Sequence, residues 1–402
     1  MALVTLADIQ AAGVTLTGIV RTTPVEGSRV LSDLVGGRVG LKCENLQRTG
    51  SFKIRGAFTR IARLDDATRA AGVVAASAGN HAQGVSLAAD LLGTTSTVFM
   101  PGGAALPKIE ATRSYGAEVR LVGVTIDDAL SAARAYAAET GRVLVHPYDH
   151  PDVIAGQGTV GLEILEQCPD VATIVVCQGG GGLVSGIAAA AKALRPEIRV
   201  VGVQAAGAAA WPASLRAGHP VRLTAMQTIA DGIAVGTPGE HTFEHVKALV
   251  DEVRTVSEEA LAQALLLCLE RAKLVVEPAG AAAVAAILSD PGAFAPPVVA
   301  VLSGGNIDAL LLDRVISRGL GAAGRYLSLQ VRVPDHPGSL VQLLNVLAAT
   351  GANVVDVEHH RLVGDLGLDD VEVTVQLETR GPGHADEIQD ALRGAGFGLV
   401  EL

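Results

Sequence analysis

Short apolar runs alternate with alanine-rich stretches along most of the chain before residue 320. The runs are rich in valine and isoleucine and end in polar or glycine-rich turns, a pattern typical of buried strands. The pattern predicts strands at 73–77, 96–100, 117–122, 142–147, 172–177, 200–205 and 298–303, and helices at 82–92, 126–140, 183–194 and 258–272. Because strands and helices alternate, we predict an α/β fold with parallel sheets flanked by helices. In such folds, ligands bind at the carboxyl ends of the strands.

The pattern changes in the last part of the chain. A glycine-rich segment at 319–325 predicts a linker between two domains. Beyond it the pattern predicts a strand at 326–333, a helix at 338–350, strands at 353–361 and 371–378, a helix at 384–394 and a strand at 396–402. This βαββαβ order predicts a small ferredoxin-like sandwich, residues 326–402, after a larger region of residues 1–320.

Composition narrows the range of functions. Of the 402 residues, 49% are apolar and 18% are charged, so the chain can form a large core and general disorder is excluded. The net charge of −11 and the 3% of aromatic residues argue against binding to nucleic acid or to an anionic membrane. Polar residues interrupt every apolar stretch before it could span a membrane, and the N-terminus lacks the pattern of a signal peptide.

The cysteines are too widely spaced for a zinc site or a disulfide framework, which predicts a cytoplasmic protein. They are Cys43, Cys168, Cys177 and Cys268.

One candidate for chemistry is Lys53, in the segment TGSFKIRGA. A lysine becomes a nucleophile when burial or a neighbouring cation lowers its pKa. A lysine that only extends toward solvent at the start of a helix would show the same local sequence.

A second candidate is the segment SAGNHAQG, which follows the strand predicted at 73–77. Ser77, Asn80 and His81, together with the free N–H groups of a helix start, can bind a carboxylate. The alternative is a simple helix cap, because serine and asparagine are common at that position.

The third segment, QGGGGLVSG, contains four successive glycines directly after a predicted strand. Such a loop can direct several backbone N–H groups toward a phosphate. It matches neither the P-loop nor the dinucleotide fingerprint, so a ligand with one phosphate is favoured over ATP or NAD. A purely structural turn is the alternative.

A fourth segment, LSGGN, places Ser303 at the end of a predicted strand, where its hydroxyl could bind a ring nitrogen. An ordinary strand-end turn is again the alternative. Together the four segments supply a phosphate site, a reactive lysine, a carboxylate site and a small polar group. An enzyme that uses pyridoxal phosphate to act on an amino acid needs all four.

These segments, taken together, resemble the serine/threonine dehydratase family of fold-type II pyridoxal phosphate enzymes over residues 5–320. The tail, with the segment VRVPDHPGSLVQLLNVLAATGANVVDVEHHR, resembles an ACT domain. The resemblance implies a small subdomain of about residues 45–150, a large subdomain of residues 1–44 and 151–320, and an ACT regulatory domain of residues 326–402.

The resemblance also implies how the cofactor, pyridoxal 5′-phosphate, is held. Lys53 forms a Schiff base with it, Phe52 packs near its ring, and Asn80 bonds its phenolic oxygen. Ser303 meets the pyridine nitrogen, and Glu277 lies close to the active site. The N–H groups for the phosphate come from the glycine loop: Gly179, Gly180, Gly181, Gly182 and Leu183.

The activity implied by the resemblance is β-elimination of L-threonine to 2-oxobutanoate and ammonia, with L-serine as a second substrate. Ser77, Asn80 and His81 hold the substrate carboxylate, and the freed Lys53 takes the α-proton. Both isoleucine biosynthesis and catabolism fit this activity. The resemblance further implies a homodimer or homotetramer, and a branched-chain amino acid effector between the loop 335–340 and the turn 351–353.

Three other functions remain open at the level of sequence. A serine racemase needs a proton donor on each face of the substrate, and family racemases carry a serine where this chain has Ala78. A β-replacement synthase would share the lysine and the glycine loop but usually lacks an ACT domain. A binding protein would leave Lys53 inert.

We expect no metal site. Family members with a structural divalent metal place a glutamate in the turn where this chain has Val203, Gln204 and Ala205. A neutral amide is a poorer ligand for a hard cation than a carboxylate.

Overall fold

The computed structural model describes residues 2–322, 324–361 and 369–400. Contacts divide the chain into two compact units, with the boundary after Ala309. None of the helices in the described ranges combines the length and the apolar character that a membrane span requires.

The first unit is built from alternating strands and helices. Its strands are β1 Val25–Gly27, β2 Val39–Cys43, β3 Val73–Ala76, β4 Ser96–Met100, β5 Glu118–Leu121, β6 Val143–Leu144, β7 Thr173–Cys177, β8 Arg199–Ala205, β9 Glu252–Val256 and β10 Val298–Leu302. Its helices are α1 Leu6–Thr15, α2 Arg29–Val35, α3 Lys53–Ala62, α4 Asp66–Ala71, α5 Asn80–Leu91, α6 Leu106–Ser114, α7 Ile126–Thr140, α8 Pro151–Gln167, α9 Gly182–Leu194, α10 Ala210–Ala217, α11 Glu240–Leu249, α12 Glu258–Leu267 and α13 Pro278–Ser289. A π-helical turn, Cys268–Ala272, extends α12.

These strands form two sheets. The larger has the order β1-β2-β10-β7-β8-β9, and the smaller has the order β5-β4-β3-β6. All neighbouring strands are parallel except β1, which is antiparallel to β2. Every residue of β2, β4, β7 and β10 is buried, as expected for strands covered by helices on both faces.

A buried ionic network fixes α3 against the rest of the first unit. The Arg55 guanidinium donates to Glu44 Oε2 through Nε at 2.8 Å and to Glu163 Oε1 through Nη1 at 2.6 Å. Lys42 Nζ donates to Glu163 Oε2 at 2.6 Å. The network therefore joins the end of β2, the first turn of α3 and the last part of α8.

The second unit is an antiparallel sheet with helices. Its elements are α14 Ala309–Ala322, β11 Tyr326–Pro334, α15 Ser339–Ala349, β12 Asn353–His360, β13 Asp370–Glu378, α16 Pro382–Gly394 and β14 Gly398–Val400. The sheet order is β12-β13-β11-β14. Its core contains strand residues such as Val331, Val373 and Leu377 together with Leu343 and Ile388 from the two helices. The order and type of these elements after residue 325 confirm the predicted βαββαβ sandwich.

The structure confirms the α/β fold and all seven strands predicted before residue 320, and it adds three strands. In the added strands β2 and β9, charged residues such as Lys42 and Arg254 interrupt the apolar pattern. The third, β1, has three residues, too few to show alternation. The structure also differs from the linker predicted at 319–325, because α14 continues to Ala322. Residue 323 of that linker and residues 401–402 of the last predicted strand lie outside the described residues.

Candidate active site

The predicted chemical segments meet where parallel strands end. Ser77 follows β3, the glycine loop follows β7, and Ser303 follows β10. A hydrogen bond from Phe52 N to Ser303 O, 3.2 Å long, and a β-bridge between Ser51 and Gly304 attach the start of α3 to the segment that follows β10 in the larger sheet. The arrangement is the one in which α/β folds bind ligands.

Lys53 is the first residue of α3. Its Nζ donates to Pro147 O at 2.9 Å and lies 5.1 Å from the centroid of the Phe52 ring. Burial lowers the pKa of Lys53 to about 8, although Cys177 and Glu277 nearby act in the opposite direction. A large fraction of this amine is therefore neutral near pH 8 and able to act as a nucleophile or base.

Asn80 is held from two sides at the start of α5. Its Nδ2 donates to Glu277 Oε1 at 2.7 Å, and its Oδ1 accepts from Asn306 Nδ2 at 2.8 Å. Asn306 also donates to Thr49 O at 2.6 Å, in the turn before Lys53. An amide nitrogen carries two N–H groups, so one N–H of Asn80 is left for a ligand.

Glu277 is a buried carboxyl at the N-terminal end of α13. Burial and the charge of Asp231 raise its pKa to about 7, against the opposing effects of Asn80, Lys108 and Lys53. Its ionisation therefore changes near neutral pH.

The segment from Ser77 to His81 forms a turn into α5. Ser77 Oγ accepts from Gly79 N at 3.1 Å, and no side chain in the described ranges caps the helix. The first N–H groups of α5 are consequently available to an anion.

The ring of His81 forms a hydrogen bond to the protein backbone. Its Nε2 lies 2.8 Å from Val145 O, and because a carbonyl only accepts, Nε2 carries the proton. Burial and the charge of Lys53 lower the pKa of His81 to about 3. The neutral ring is thus engaged by Val145, and the backbone N–H is the group of His81 that remains for a substrate.

The glycine loop, Gly179–Gly182, leads into α9. Gly181 has a φ of +97°, and within the described residues α9 has no side-chain cap. A Cβ at Gly180 would lie 2.3 Å from the Tyr148 ring, so only glycine fits there. The loop and the buried Leu183 place uncapped backbone N–H groups at the start of α9, and such groups suit one phosphate.

Ser303 is buried at the end of β10, where its Oγ lies 3.2 Å from Cys177 Sγ. Burial raises the pKa of Cys177 to about 11, so its thiol is protonated and donates to Ser303. The Ser303 proton is then left to reach an acceptor such as a ring nitrogen.

The donor set fits pyridoxal phosphate. The glycine loop suits its single phosphate, Lys53 its aldehyde, Asn80 its phenolic oxygen and Ser303 its ring nitrogen. The fit rests on the free N–H groups at the start of α9 and on the amine of lowered pKa.

Comparison with known proteins decides the family. The family model described as pyridoxal-phosphate dependent enzyme matches residues 16–304. The chain belongs to this family. Its cofactor is therefore pyridoxal phosphate, and the two parallel sheets of the first unit are those of fold-type II enzymes.

Two curated relatives within this family are close in sequence. The L-threonine ammonia-lyase of Thermotoga maritima is 48% identical over 395 residues, which cover 98% of each chain. The catabolic L-threonine dehydratase TdcB of Escherichia coli K12 is 45% identical over 315 residues, which cover 78% of this chain and 96% of TdcB.

Solved structures of the family are also similar. A threonine deaminase from T.th. has a TM-score of 0.72 and 44% identity, and the match covers 76% of this chain and 99% of that chain. Maize serine racemase has a TM-score of 0.75 and 37% identity, and the match covers 80% of this chain and 99% of the racemase chain.

Sequence analysis missed several residues of this pyridoxal-phosphate site. Pro147 contributes a carbonyl to Lys53, and Tyr148 packs on the glycine loop. Trp211 and Thr242 bond the loop carbonyls. The compact string HPYDH, which overlaps the end of the strand predicted at 142–147, and the single tryptophan of the chain were the available signals.

Gln204, the neutral residue on which the expectation of no metal site depends, forms hydrogen bonds within the protein through both ends of its amide. Its Oε1 accepts from Trp211 N at 3.0 Å, and its Nε2 donates to Ala208 O at 3.2 Å. The amide therefore cross-links the turn after β8.

We predict that Glu277→Gln lowers the pKa of Lys53 below about 8, because a negative charge that favours the ammonium form is removed. The glutamine keeps an oxygen for Asn80. Since Glu277 ionises near its raised pKa of about 7, the difference should grow as the pH rises through 7. NMR titration of ¹³C-methylated lysines in the apoprotein measures the shift.

The matched control is Glu139→Gln, which neutralises an exposed carboxylate on α7 and should leave the Lys53 titration unchanged. An unchanged Lys53 titration in Glu277→Gln as well would show that the two groups do not interact.

Proposed function

We propose that this chain is a threonine ammonia-lyase that converts L-threonine to 2-oxobutanoate and ammonia, with L-serine as a second substrate. The observation that carries the proposal is the amine of Lys53, whose pKa is lowered to about 8 at the start of α3, where Phe52 N donates to Ser303 O at the end of β10. The Thermotoga maritima relative, 48% identical over 98% of this chain, carries the name of this activity.

The proposed chemistry removes the α-proton and the β-hydroxyl of threonine, after which hydrolysis releases ammonia. The water lost in elimination is returned in hydrolysis, so the net reaction divides threonine into the oxoacid and ammonia. Pyridoxal phosphate, when bound, links to the amino group of the substrate and withdraws electrons from its α-carbon.

Lys53 is the proposed base for the α-proton. Its carbonyl partner Pro147 takes one N–H of the amine and so limits the directions in which the lone pair can point. A base whose pKa lies near the working pH combines a large neutral fraction with enough basicity to accept the proton.

The substrate carboxylate is proposed to bind at the start of α5. Ser77 offers its hydroxyl, and Asn80 and His81 offer backbone N–H groups at the positive end of the helix dipole. The side chain of Asn80 faces the cofactor in this proposal, held by Glu277 and Asn306.

The structural similarity to maize serine racemase keeps racemisation as a second candidate. A racemase needs a proton donor on the face opposite the lysine. Ala78 cannot supply one, and we therefore favour elimination. Chiral analysis of serine recovered from the reaction distinguishes the two, because appreciable D-serine would contradict this preference.

We predict that Lys53→Ala lowers threonine elimination by about three orders of magnitude or more, because it removes both the attachment point of the cofactor and the base. An assay of 2-oxobutanoate and ammonia measures the loss. The control is Lys192→Ala, which removes a lysine paired with Asp251 near the far end of α9 and should retain activity. Near-normal turnover by Lys53→Ala would assign the chemistry to another lysine.

The second unit is proposed to be an ACT domain that binds a branched-chain amino acid. Its ferredoxin-like strand order supports this, as does the loop before α15, where Arg361 holds Asp335 through two hydrogen bonds of 3.0 and 3.3 Å. Gly338 has a φ of +96°, and no described side chain caps α15, which leaves N–H groups for a carboxylate. We further propose a homodimer or homotetramer in which the turn 351–353 of a neighbouring copy completes the site.

The four cysteines are free thiols, three of them buried, which supports the cytoplasm as the proposed location.

We predict that isoleucine or valine changes the affinity for threonine about 5- to 150-fold in the full chain, as expected for a coupling of typical size. Ser339→Asp should weaken this response, because it places a carboxylate at the start of α15 where the effector carboxylate would bind. Ser339→Asn, of the same size but neutral, should preserve it. Threonine saturation curves with and without effector provide the measurement.

A chain that ends at residue 321 should retain elimination and lose the response. The E. coli relative supports this, since 315 aligned residues cover 96% of that enzyme and only 78% of this chain. A response that survives truncation would place the effector site in the first unit.

A further inference from the structure

Two carbonyl groups of the glycine loop are bonded by side chains that the mechanism above does not use. Trp211 Nε1 donates to Gly179 O at 2.7 Å, and Thr242 Oγ1 donates to Gly180 O at 2.7 Å. Both side chains are fully buried. They come from the first turns of α10 and α11, far from the loop in sequence.

These two bonds determine where the neighbouring N–H groups point. In a planar trans peptide, the C=O and the N–H of the same unit point in opposite directions. With Gly179 O turned toward Trp211, the N–H of Gly180 faces away from Trp211. With Gly180 O turned toward Thr242, the N–H of Gly181 faces away from Thr242.

Trp211 and Thr242 lie on the same side of the loop. A Cβ at Gly181 would be 2.6 Å from Trp211 Cζ2 and 3.0 Å from Thr242 Cβ. The two N–H groups therefore project together from the opposite side. In the described part of the chain, no protein acceptor takes them.

Each side chain is itself held in place. Thr242 Oγ1 accepts from Gly239 N at 3.1 Å, so its own proton is left for a carbonyl, and Gly180 O is the nearer one. The backbone N of Thr242 donates to Asp149 Oδ1 at 3.1 Å. The ring of Trp211 stacks on Phe243, with centroids 6.2 Å apart and planes inclined by 11°.

We propose that Trp211 and Thr242 are positioning residues that orient the N–H groups of Gly180 and Gly181 toward the phosphate of the cofactor. This rests on the proposed use of pyridoxal phosphate with its phosphate at the glycine loop, the fit described for the candidate active site, and it does not depend on the substrate. The two side chains select for the phosphate group of the ligand, whereas Lys53 reacts with its aldehyde.

The test compares pyridoxal 5′-phosphate with pyridoxal, which lacks the phosphate. Thr242→Val keeps the shape of the side chain and removes the donor to Gly180 O. Its apoprotein should bind pyridoxal 5′-phosphate about five- to tenfold more weakly, the effect of one hydrogen bond, while its affinity for pyridoxal stays the same. Quenching of fluorescence from Trp211, the one tryptophan of the chain, measures both affinities.

Two further variants separate orientation from general stability. Thr242→Ser restores a hydroxyl and should recover the affinity for pyridoxal 5′-phosphate. Thr173→Val removes a buried hydroxyl that donates to Ala295 O at 2.8 Å, at the opposite end of β7, and should change neither affinity. If Thr242→Val does not fold, Trp211→Phe removes the other donor, and absorption then replaces fluorescence as the readout.

Equal weakening for both ligands, or no weakening for either, would overturn the proposal. These affinities are measured without threonine. A chain that lacks ammonia-lyase activity but shows the selective loss would contradict the proposed function and leave this inference standing.

Discussion

The position of the reactive amine depends on the ion pairs formed by the buried guanidinium of Arg55. Arg55 lies two residues after Lys53 on the first turn of α3, and it bonds Glu44 beyond β2 and Glu163 on α8. Removing one partner from a buried ion pair costs about 3–5 kcal/mol, because a charge is left in a medium that solvates it poorly. A shift of α3 would separate these charges, so the ionic network holds Lys53 at the edge of the larger sheet.

A second constraint acts from the other side of the site. The glycine loop must approach Tyr148, Trp211 and Thr242 closely, and its glycines permit that approach. Side chains from α10 and α11 bond two of the loop carbonyls, and within the described residues no protein acceptor takes the N–H groups of Gly180 and Gly181. The parallel strands of the larger sheet bring both constraints to one edge, and Ser303 lies between them directly after β10. The site thus consists of local turns whose positions are fixed by contacts distant in sequence.

Much of this could be predicted from the sequence, because strand and helix periodicity and the four chemical segments are local features. Lys53, Asn80 and Ser303 lie in short motifs whose residue types indicate the chemistry that they could perform. The hydrogen bond from Thr242 to Gly180 joins residues 62 positions apart, so no short sequence motif contains both partners. Pro147 contributes its backbone carbonyl, a group that every residue has, so its residue type does not reveal the contact. Helix α14 extends into the predicted linker because glycine in a helix costs only about 1 kcal/mol. The ring of His81 bonds Val145 O, a partner 64 residues away that sequence spacing does not reveal.

We propose that Lys53, held by the Arg55 network, is the residue that carries the cofactor. Borohydride reduction of the protein loaded with pyridoxal phosphate, followed by peptide mapping, tests it directly, since reduction makes the link between lysine and cofactor permanent. We expect one phosphopyridoxyl group per chain, on the peptide that contains Lys53. A label on Lys108, the other lysine near Glu277, or no stable label at all, would contradict it.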